Sequence, residues 1–178
     1  AIIEKVIFPY KESGGKMVII SELEMQKKYP QTLKYLCSQR SKLEKRDKGN
    51  TKHYPTWYAY GRTQSLKLPK YKLFFPKFAS QRINCVLRDE ADLMLYNGLA
   101  FISDDVRQLS ILQRILESNI FWMYVIKNGK PYASNYYSLS GVDIKNFGIP
   151  LFSKEQEEQL LSLCQKNEID SWLENFYQ

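Results

Sequence analysis

Basic and aromatic side chains are interleaved through one third of the chain, from residue 27 to residue 88. This segment contains 16 Lys and Arg but only two acids, Glu44 and Asp47, so its formal charge is +14, against +7 for the whole chain. Ten of the chain's 25 aromatic residues lie in the same segment. Lys and Arg neutralise phosphates and aromatic rings stack on bases, so this composition favours a nucleic-acid surface. The alternative is a solvated basic face over an aromatic core.

Two regions carry side chains suited to recognising DNA. In the first, Arg62 could donate two hydrogen bonds to guanine, and in the second, Asn135 could recognise adenine. Neighbouring Lys and Arg would hold phosphates, and tyrosines would pack on sugar or base. The predicted DNA-binding residues are Arg46, Lys48, Lys52, His53, Tyr54, Tyr60, Arg62 and Gln64 in the first region, and Lys130, Tyr132, Ser134, Asn135, Tyr136 and Tyr137 in the second.

Several of these side chains have a structural alternative. Trp57 and Tyr58 are large aromatics, which are more typical of a core than of a DNA contact. Arg62 can instead pair with an acid, and Arg46 can equally well support the end of a helix. The 130–138 loop can be plain surface, although loops on a rigid scaffold often carry recognition.

Patterns for catalysis and cofactor binding are weak or missing. The chain contains no G-x-G, no phosphate-binding P-loop and no Asn-Pro-Pro-Tyr string. Asp143-x-Lys145, with Asp104 and Asp105 upstream, has the shape of a Mg²⁺ nuclease set, but the pattern is common by chance and a metal site needs convergent ligands. His53 is the only histidine, so a His-based metal cluster or a Ser/His/Asp triad has almost no candidate residues. We therefore predict no catalytic, metal-binding or cofactor-binding residue in this chain.

Cysteine spacing and hydropathy indicate the compartment. The three cysteines, Cys37, Cys85 and Cys164, are far apart and form no C-x-x-C pair, so we expect reduced, mostly buried thiols in a cytoplasmic protein. The longest apolar run, 120–126, is far shorter than the ~20 residues of a membrane span, so we expect no membrane partner. The first residues do not resemble a signal peptide, and we expect the chain to be a fragment of a larger enzyme.

In the first half of the chain, turn and capping signals predict a hairpin followed by helices. Residues 2–20 predict two strands, 2–8 and 17–20, around the turn at Ser13-Gly14-Gly15. Ser21 and Glu24 form a capping-box pattern that opens a helix to about residue 28. Pro30 opens a second, basic amphipathic helix that ends near residues 48–50.

From residue 57 onward, short strands and helices alternate without a regular order. Strands are predicted at 57–60, 71–75, 82–87, 99–102 and 142–149, and helices at 106–126, 153–165 and 169–176. This irregular order argues against a parallel βαβ sheet. We therefore predict an α+β fold with a mixed, mostly antiparallel sheet and flanking helices. Residues 1–178 are assigned to a single domain, with 150–178 as a C-terminal helical extension.

Several short motifs resemble one family in their order and spacing. They are Val6-Ile7-Phe8-Pro9-Tyr10, Tyr29-Pro30-x-x-x-x-Tyr35-Leu36, Leu43-x-x-Arg46, Trp57-Tyr58-x-x-x-Arg62, Leu116-Glu117-Ser118-Asn119 near the end of a long helix, and Gly148-Ile149-Pro150 before a Glu155-Gln156 helix. Over roughly residues 5 to 165, the chain resembles the TaqI-like C-terminal specificity domain. That domain is the target-recognition part of adenine-N6 DNA methyltransferases and of fused type II restriction–modification enzymes. One departure is Leu151-Phe152, where a second proline is frequent.

The resemblance implies sequence-specific recognition of double-stranded DNA in a bacterial restriction–modification system. Catalysis would belong to an N-terminal methyltransferase domain of the same parent chain, with S-adenosylmethionine, and as a further candidate Mg²⁺, as cofactors there. The parent would be a DNA adenine-N6 methyltransferase, a type II restriction endonuclease, or both. No position in this chain matches the family's catalytic residues.

Two other functional classes stay open on the sequence alone. One is a stand-alone Mg²⁺-dependent nuclease that uses Asp143. The other is a protein-binding module that docks its basic face on an acidic partner.

Overall fold

Local sequence signals organise the chain into short helices and short strands. The computed structural model describes residues 5–63, 66, 68, 70–94 and 99–177. These elements form two units, the N-terminal unit Ala1–Lys67 and the C-terminal unit Leu68–Gln178. One functional domain can contain two such units, so the assignment of residues 1–178 to a single domain stays a prediction.

The N-terminal unit begins with the predicted hairpin. Strands β1 (Tyr10–Ser13) and β2 (Lys16–Ile19) pair antiparallel. Gly14 and Gly15 have φ angles of 58° and 73°, the left-handed pair that a two-residue hairpin turn requires. The expectation of a strand at 2–8 is wrong for residues 5–8, and residues 1–4 lie outside the described part. The position of the turn sets the register, so the strand pairing extends back from the turn only as far as Tyr10. The residue before it, Pro9, has no N–H to donate.

Three short helices follow the hairpin. They are α1 (Glu22–Lys28), α2 (Pro30–Ser38) and α3 (Arg40–Glu44), with a 3₁₀ turn at Arg46–Gly49. The Ser21 hydroxyl accepts a hydrogen bond from the backbone N–H of Glu24, which confirms the Ser21 half of the predicted capping box, whereas the Glu24 carboxylate binds Lys11 and Lys28. The single helix predicted from Pro30 is instead interrupted at Gln39. The Ser38 hydroxyl donates 2.7 Å to the carbonyl of Tyr35, and such local bonds compete with the helical ladder.

A small apolar cluster holds the N-terminal unit together. Ile20, Met25, Leu36 and Tyr58 are buried, which confirms the core alternative for Tyr58. The hydroxyl of Tyr58 donates 2.7 Å to the carbonyl of Ile20. The strand predicted at 57–60 is wrong, since these residues form turns. Their aromatic rings favour strands by propensity, but here burial against the cluster decides the backbone path.

The C-terminal unit contains two three-stranded antiparallel sheets. Its strands are β3 (Tyr71–Phe75), β4 (Phe78–Ala79), β5 (Val86–Arg88), β6 (Leu99–Ser103), β7 (Lys130–Tyr132) and β8 (Tyr136–Ser138). The first sheet has the order β5-β3-β6 and the second β4-β8-β7. Every strand pair within the described residues is antiparallel. The predicted α+β fold is therefore confirmed.

Five helices complete the C-terminal unit over its described residues. They are α4 (Val106–Leu116), α5 (Asn119–Asn128), α6 (Gly141–Lys145), α7 (Lys154–Ser162) and α8 (Lys166–Glu174). Asp105 caps α4, and Ser153 with Gln156 forms a capping box at the start of α7. The strand predicted at 142–149 is wrong, because α6 occupies its first part. Ile144 and Phe147 are both buried and three residues apart, a helical spacing.

The helix predicted at 106–126 is in fact two helices that meet at Glu117 and Ser118. The Ser118 hydroxyl accepts a hydrogen bond from the N–H of Phe121 and so caps α5. Arg82 supplies hydrogen-bond donors to the backbone at this break. It donates 3.1 and 2.7 Å from Nε and Nη2 to the carbonyl of Glu117, and its Nη1 lies 2.7 Å from a carboxylate oxygen of Asp170 in α8. The same carboxylate accepts from the backbone N–H of Asn119.

The C-terminal helices belong to the core of this unit. Leu160 in α7 and Leu173 in α8 are fully buried, together with Leu73, Ile115 and Phe121. Among the described residues, no helix has both the length and the apolar character needed to cross a bilayer.

The cysteines differ from the sequence expectation of mostly buried thiols. Cys85 is buried, and this burial, with Glu117 nearby, raises its pKa to about 12. Cys37 and Cys164 are exposed instead. Cys37 lies in α2 and Cys164 follows the end of α7, and the local sequence at neither position shows which side chains meet the core.

We expect Arg82→Ala to destabilise the C-terminal unit by about 2 kcal/mol. The variant leaves a partly buried carboxylate and a helix-end carbonyl without a donor, and the partial exposure keeps the cost below that of a fully buried pair. Urea unfolding followed by circular dichroism measures the difference. Arg88→Ala, which removes an exposed arginine on β5, is the matched control and should change stability by less than about 0.5 kcal/mol. Equal effects of the two variants would contradict the assigned role of Arg82.

Candidate nucleic-acid interface

The first predicted region is built on a left-handed turn. Asp47, Lys48 and Gly49 have φ angles of 47°, 58° and 82°. Such angles are uncommon outside glycine, so neighbouring contacts must hold the turn. The hydroxyl of Tyr54 donates a hydrogen bond to the carboxylate of Asp47, and this bond links the turn to the following loop. Lys48 is exposed on the turn.

Arg46 ties the end of α3 to the loop that follows. Its Nε donates 2.8 Å to the carbonyl of Leu43, and its Nη2 donates 2.9 and 3.0 Å to the carbonyls of Trp57 and Ala59. The guanidinium carbon also lies 5.5 Å from the ring centroid of Tyr54. These contacts support the structural alternative stated for Arg46, which is the end of a helix rather than DNA.

Gly61 lets the loop pass close to Tyr54. A Cβ atom at this position would lie 2.3 Å from the Tyr54 hydroxyl oxygen and 3.1 Å from a carboxylate oxygen of Asp47, so a larger residue would displace that bond. The same residues, with Arg46 and Arg62, line an open polar cavity of about 540 Å³. The structure thus brings Arg46, Tyr54 and Arg62 together, as one site requires.

Four of the predicted residues keep their polar groups free around this turn. Lys48, Lys52, His53 and Arg62 are exposed, and none of them has a hydrogen bond or ion pair to another residue that the structure describes. The acid partner that was the alternative for Arg62 is therefore not seen among these residues. The ring of His53 lies edge-on to Tyr54, with centroids 4.6 Å apart. Gln64 lies outside the described residues.

Tyr60 has a structural role within the N-terminal unit. Its hydroxyl donates 2.6 Å to the carbonyl of Ile7, and its N–H donates 2.7 Å to the hydroxyl oxygen of Tyr10. Burial raises the pKa of Tyr60 above its ordinary value. The side chain is thus anchored to the segment before the hairpin, and its contact with DNA stays a prediction without geometric support.

The net positive charge of the chain comes from the N-terminal unit, which contains the Asp47–Gly49 turn. The N-terminal unit contains 14 Lys and Arg against six Asp and Glu, whereas the C-terminal unit contains 12 against 13. The basic segment 27–88 is thus divided between the two units. The excess of cations belongs to the unit that contains residues 46–62, the turn after α3 with the loop bound to it, which we call the Arg46 turn.

The second predicted region is a hairpin rather than an open loop. Strands β7 and β8 pair with Tyr132 opposite Tyr136, and the three residues between them close the turn. Ser134 and Asn135 adopt φ angles of 59° and 64° there, a conformation that Asn tolerates better than most residues. Both are exposed at the tip of the hairpin.

Strand alternation separates the predicted tyrosines onto two faces. Tyr137 packs on Trp122, with ring centroids 5.7 Å apart, and belongs to the edge of the core. Tyr132 and Tyr136 are 60% and 42% exposed on the other face, where Lys130 also lies. Sequence reasoning missed Phe78, which joins this face from β4. No local signal could have found it, because the pairing of residues 78 and 138 is distant in sequence.

The described residues offer no built metal or cofactor site. No three His, Cys, Asp or Glu side chains among them group closely enough to hold a metal ion. Gly14 and Gly15, the only adjacent glycines in the sequence, form a hairpin turn rather than a turn from strand to helix. This pair therefore does not match the strand-to-helix glycine turn on which nucleotide-type cofactor sites are built. Comparison with protein-family models and with curated proteins gave no match.

We expect Arg46→Ala to destabilise the N-terminal unit by about 2 kcal/mol, because three carbonyls lose a charged donor. Arg46→Lys should recover only part of this loss, since an ammonium cannot reproduce the planar fork of donors. Thermal unfolding of the three proteins measures the effect. If Arg46→Ala kept wild-type stability but lost DNA binding, the structural role of Arg46 would be wrong.

Proposed function

We propose that this chain is a target-recognition domain that binds double-stranded DNA sequence-specifically for a type II restriction–modification enzyme or an adenine-specific DNA methyltransferase. The resemblance to the TaqI-like specificity domain motivates the proposal. The observation that carries it is the group of exposed polar side chains around the Arg46 turn, Lys48, Lys52, His53 and Arg62, which have no hydrogen-bond or ion-pair partner among the described residues.

The contacts of the Arg46 turn support this proposal in physical terms. A side chain already bound to a carbonyl or an acid would lose that partner on binding a phosphate. The four exposed side chains around the Arg46 turn have no such partner to lose among the described residues. The bonds of Arg46 and Tyr54 hold the loop backbone in place before any ligand arrives. A preorganised loop loses less conformational entropy on binding, so more of the contact energy appears as affinity.

The chemistry of the proposed contact residues gives them two roles, binding phosphates and recognising bases. Lys48 and Lys52 would bind phosphates, because an ammonium on a flexible stem acts as a point charge without sequence preference. Arg62 would contact guanine in the major groove, because its guanidinium can donate two parallel bonds to O6 and N7. Asn135, at the tip of the β7–β8 hairpin, would recognise adenine in the same manner.

The remaining parts of the proposal concern the parent protein. Methylation or cleavage would be performed by an N-terminal methyltransferase domain, with S-adenosylmethionine, and Mg²⁺ if the parent also cleaves. The parent would act on bacterial cytoplasmic DNA. The present residues would supply the choice of target and no catalytic group.

We expect Lys52→Ala to weaken binding to every duplex by a similar factor and to reduce the slope of log K against log salt by about one unit. The reason is the loss of one phosphate contact, which is indifferent to sequence. Fluorescence anisotropy with labelled duplexes at several salt concentrations measures both effects. Lys16→Ala, in the β1–β2 hairpin, is the matched control for loss of one exposed charge. A complete absence of salt-dependent duplex binding in the wild-type chain would refute the proposed function and favour an acidic protein partner.

We expect Arg62→Ala to relax the preference at one base pair of the target, at a cost of about 1–3 kcal/mol there. Arg62→Lys should retain the affinity for nonspecific DNA but lose the same preference, because it keeps the charge without the bidentate geometry. Selection from a randomised duplex library reveals the target, and competition with single-base variants then measures the preference. An unchanged preference profile in Arg62→Ala would show that this residue does not contact a base.

A further inference from the structure

One face of the β4-β8-β7 sheet exposes three aromatic rings together. In antiparallel strands, directly paired residues lie on the same face, and so do residues two apart in one strand. Phe78 pairs with Ser138, Lys130 pairs with Ser138, and Tyr132 pairs with Tyr136. All five residues therefore lie on one face, which we call the aromatic face.

The rings of the aromatic face are not filling a core. Phe78, Tyr132 and Tyr136 are 44%, 60% and 42% exposed, and the Phe78 and Tyr132 centroids are 4.7 Å apart with an interplanar angle of 36°. The opposite face of the sheet provides the burial, through Ala79 and Tyr137. The sheet is thus anchored on one side and presents adjacent aromatic surface on the other.

The segments that build the aromatic face are free of carboxylates. Residues 77–79 and 130–138, which contain its three strands, have no Asp or Glu, and their charged side chains are Lys77 and Lys130. Lys130 lies on the face itself. An anionic partner with flat apolar surfaces matches this combination of charge and rings.

We propose that the aromatic face stacks an extrahelical base of otherwise double-stranded DNA. This inference rests on the proposed function, because it adds a class of nucleotide to the DNA that the chain would bind. Inside a duplex both faces of a base are covered by its neighbours, so only a base that has left the stack can meet these rings. Tyr132 and Phe78 would receive the base, and Lys130 would hold its phosphate.

The test compares three DNA probes on the full chain by fluorescence anisotropy. They are a perfect duplex, the same duplex with one bulged nucleotide, and a single strand of roughly ten nucleotides. We expect the bulged duplex to bind more tightly than the perfect one. A 2-aminopurine at the bulge should lose fluorescence on binding, because stacking quenches it.

Variants on the aromatic face separate stacking from charge. We expect Tyr132→Ala to weaken binding of the bulged duplex by at least about fivefold, to remove the preference for the bulged over the perfect duplex, and to abolish the quenching. Tyr132→Phe should behave as wild type, since it retains the ring. Tyr35→Ala is the matched control, because Tyr35 is a tyrosine in α2 with a similar exposure of 57%. Tyr132 is mostly exposed, so circular dichroism should show an intact fold.

The outcomes distinguish this inference from the proposed function. Salt-dependent binding of the perfect duplex without any preference for the bulge would overturn the stacking role and leave DNA recognition standing. Wild-type quenching in Tyr132→Ala would overturn it in the same way. Binding of none of the three probes would instead refute DNA recognition itself, and the stacking role with it.

Discussion

Carbonyl groups left free at the ends of helices are the constraint on which both units depend. Each helix leaves several such carbonyls without a partner inside the helix, and burying them without a donor is costly. In the C-terminal unit Arg82 meets this need at the break between α4 and α5, and Asp170 draws α8 to the same point. In the N-terminal unit Arg46 does so at the end of α3 and reaches two further carbonyls in the following loop.

This constraint also separates structural cations from those that can bind a ligand. Arg46 and Arg62 line the same cavity, but the guanidinium of Arg46 is bound to three carbonyls and that of Arg62 to none of the described residues. A positive total charge cannot make that distinction. The proposed DNA contact therefore rests on the exposed side chains that the Arg46 turn presents, and the turn keeps its shape because Tyr54 and Gly61 pack against it.

In the β7–β8 hairpin, structural and exposed side chains are likewise separated, here along strand β8. Tyr136 and Tyr137 are neighbours in sequence, yet one is exposed and the other packs on Trp122. The pleat of β8 sends successive side chains to opposite faces, and the burial of one face leaves the other for a partner. Phe78 joins Tyr132 only because β4 pairs with β8, so this part of the candidate site is a product of tertiary structure.

Local sequence by itself determined the features that depend on a few adjacent residues. Gly14-Gly15 specified the hairpin turn, Ser21, Asp105 and Ser153 specified helix starts, and the irregular order of elements indicated the α+β class. Tertiary structure decided the features in which distant groups compete. Contacts between distant residues end the helix predicted from residue 106 at Glu117 and keep 57–60 out of a strand. They also make 141–145 a helix and give Arg46 its carbonyl partners within the N-terminal unit. Propensity is worth tenths of a kcal/mol per residue, whereas core burial and charged hydrogen bonds are worth about 1–3 kcal/mol each, so the distant contacts prevailed.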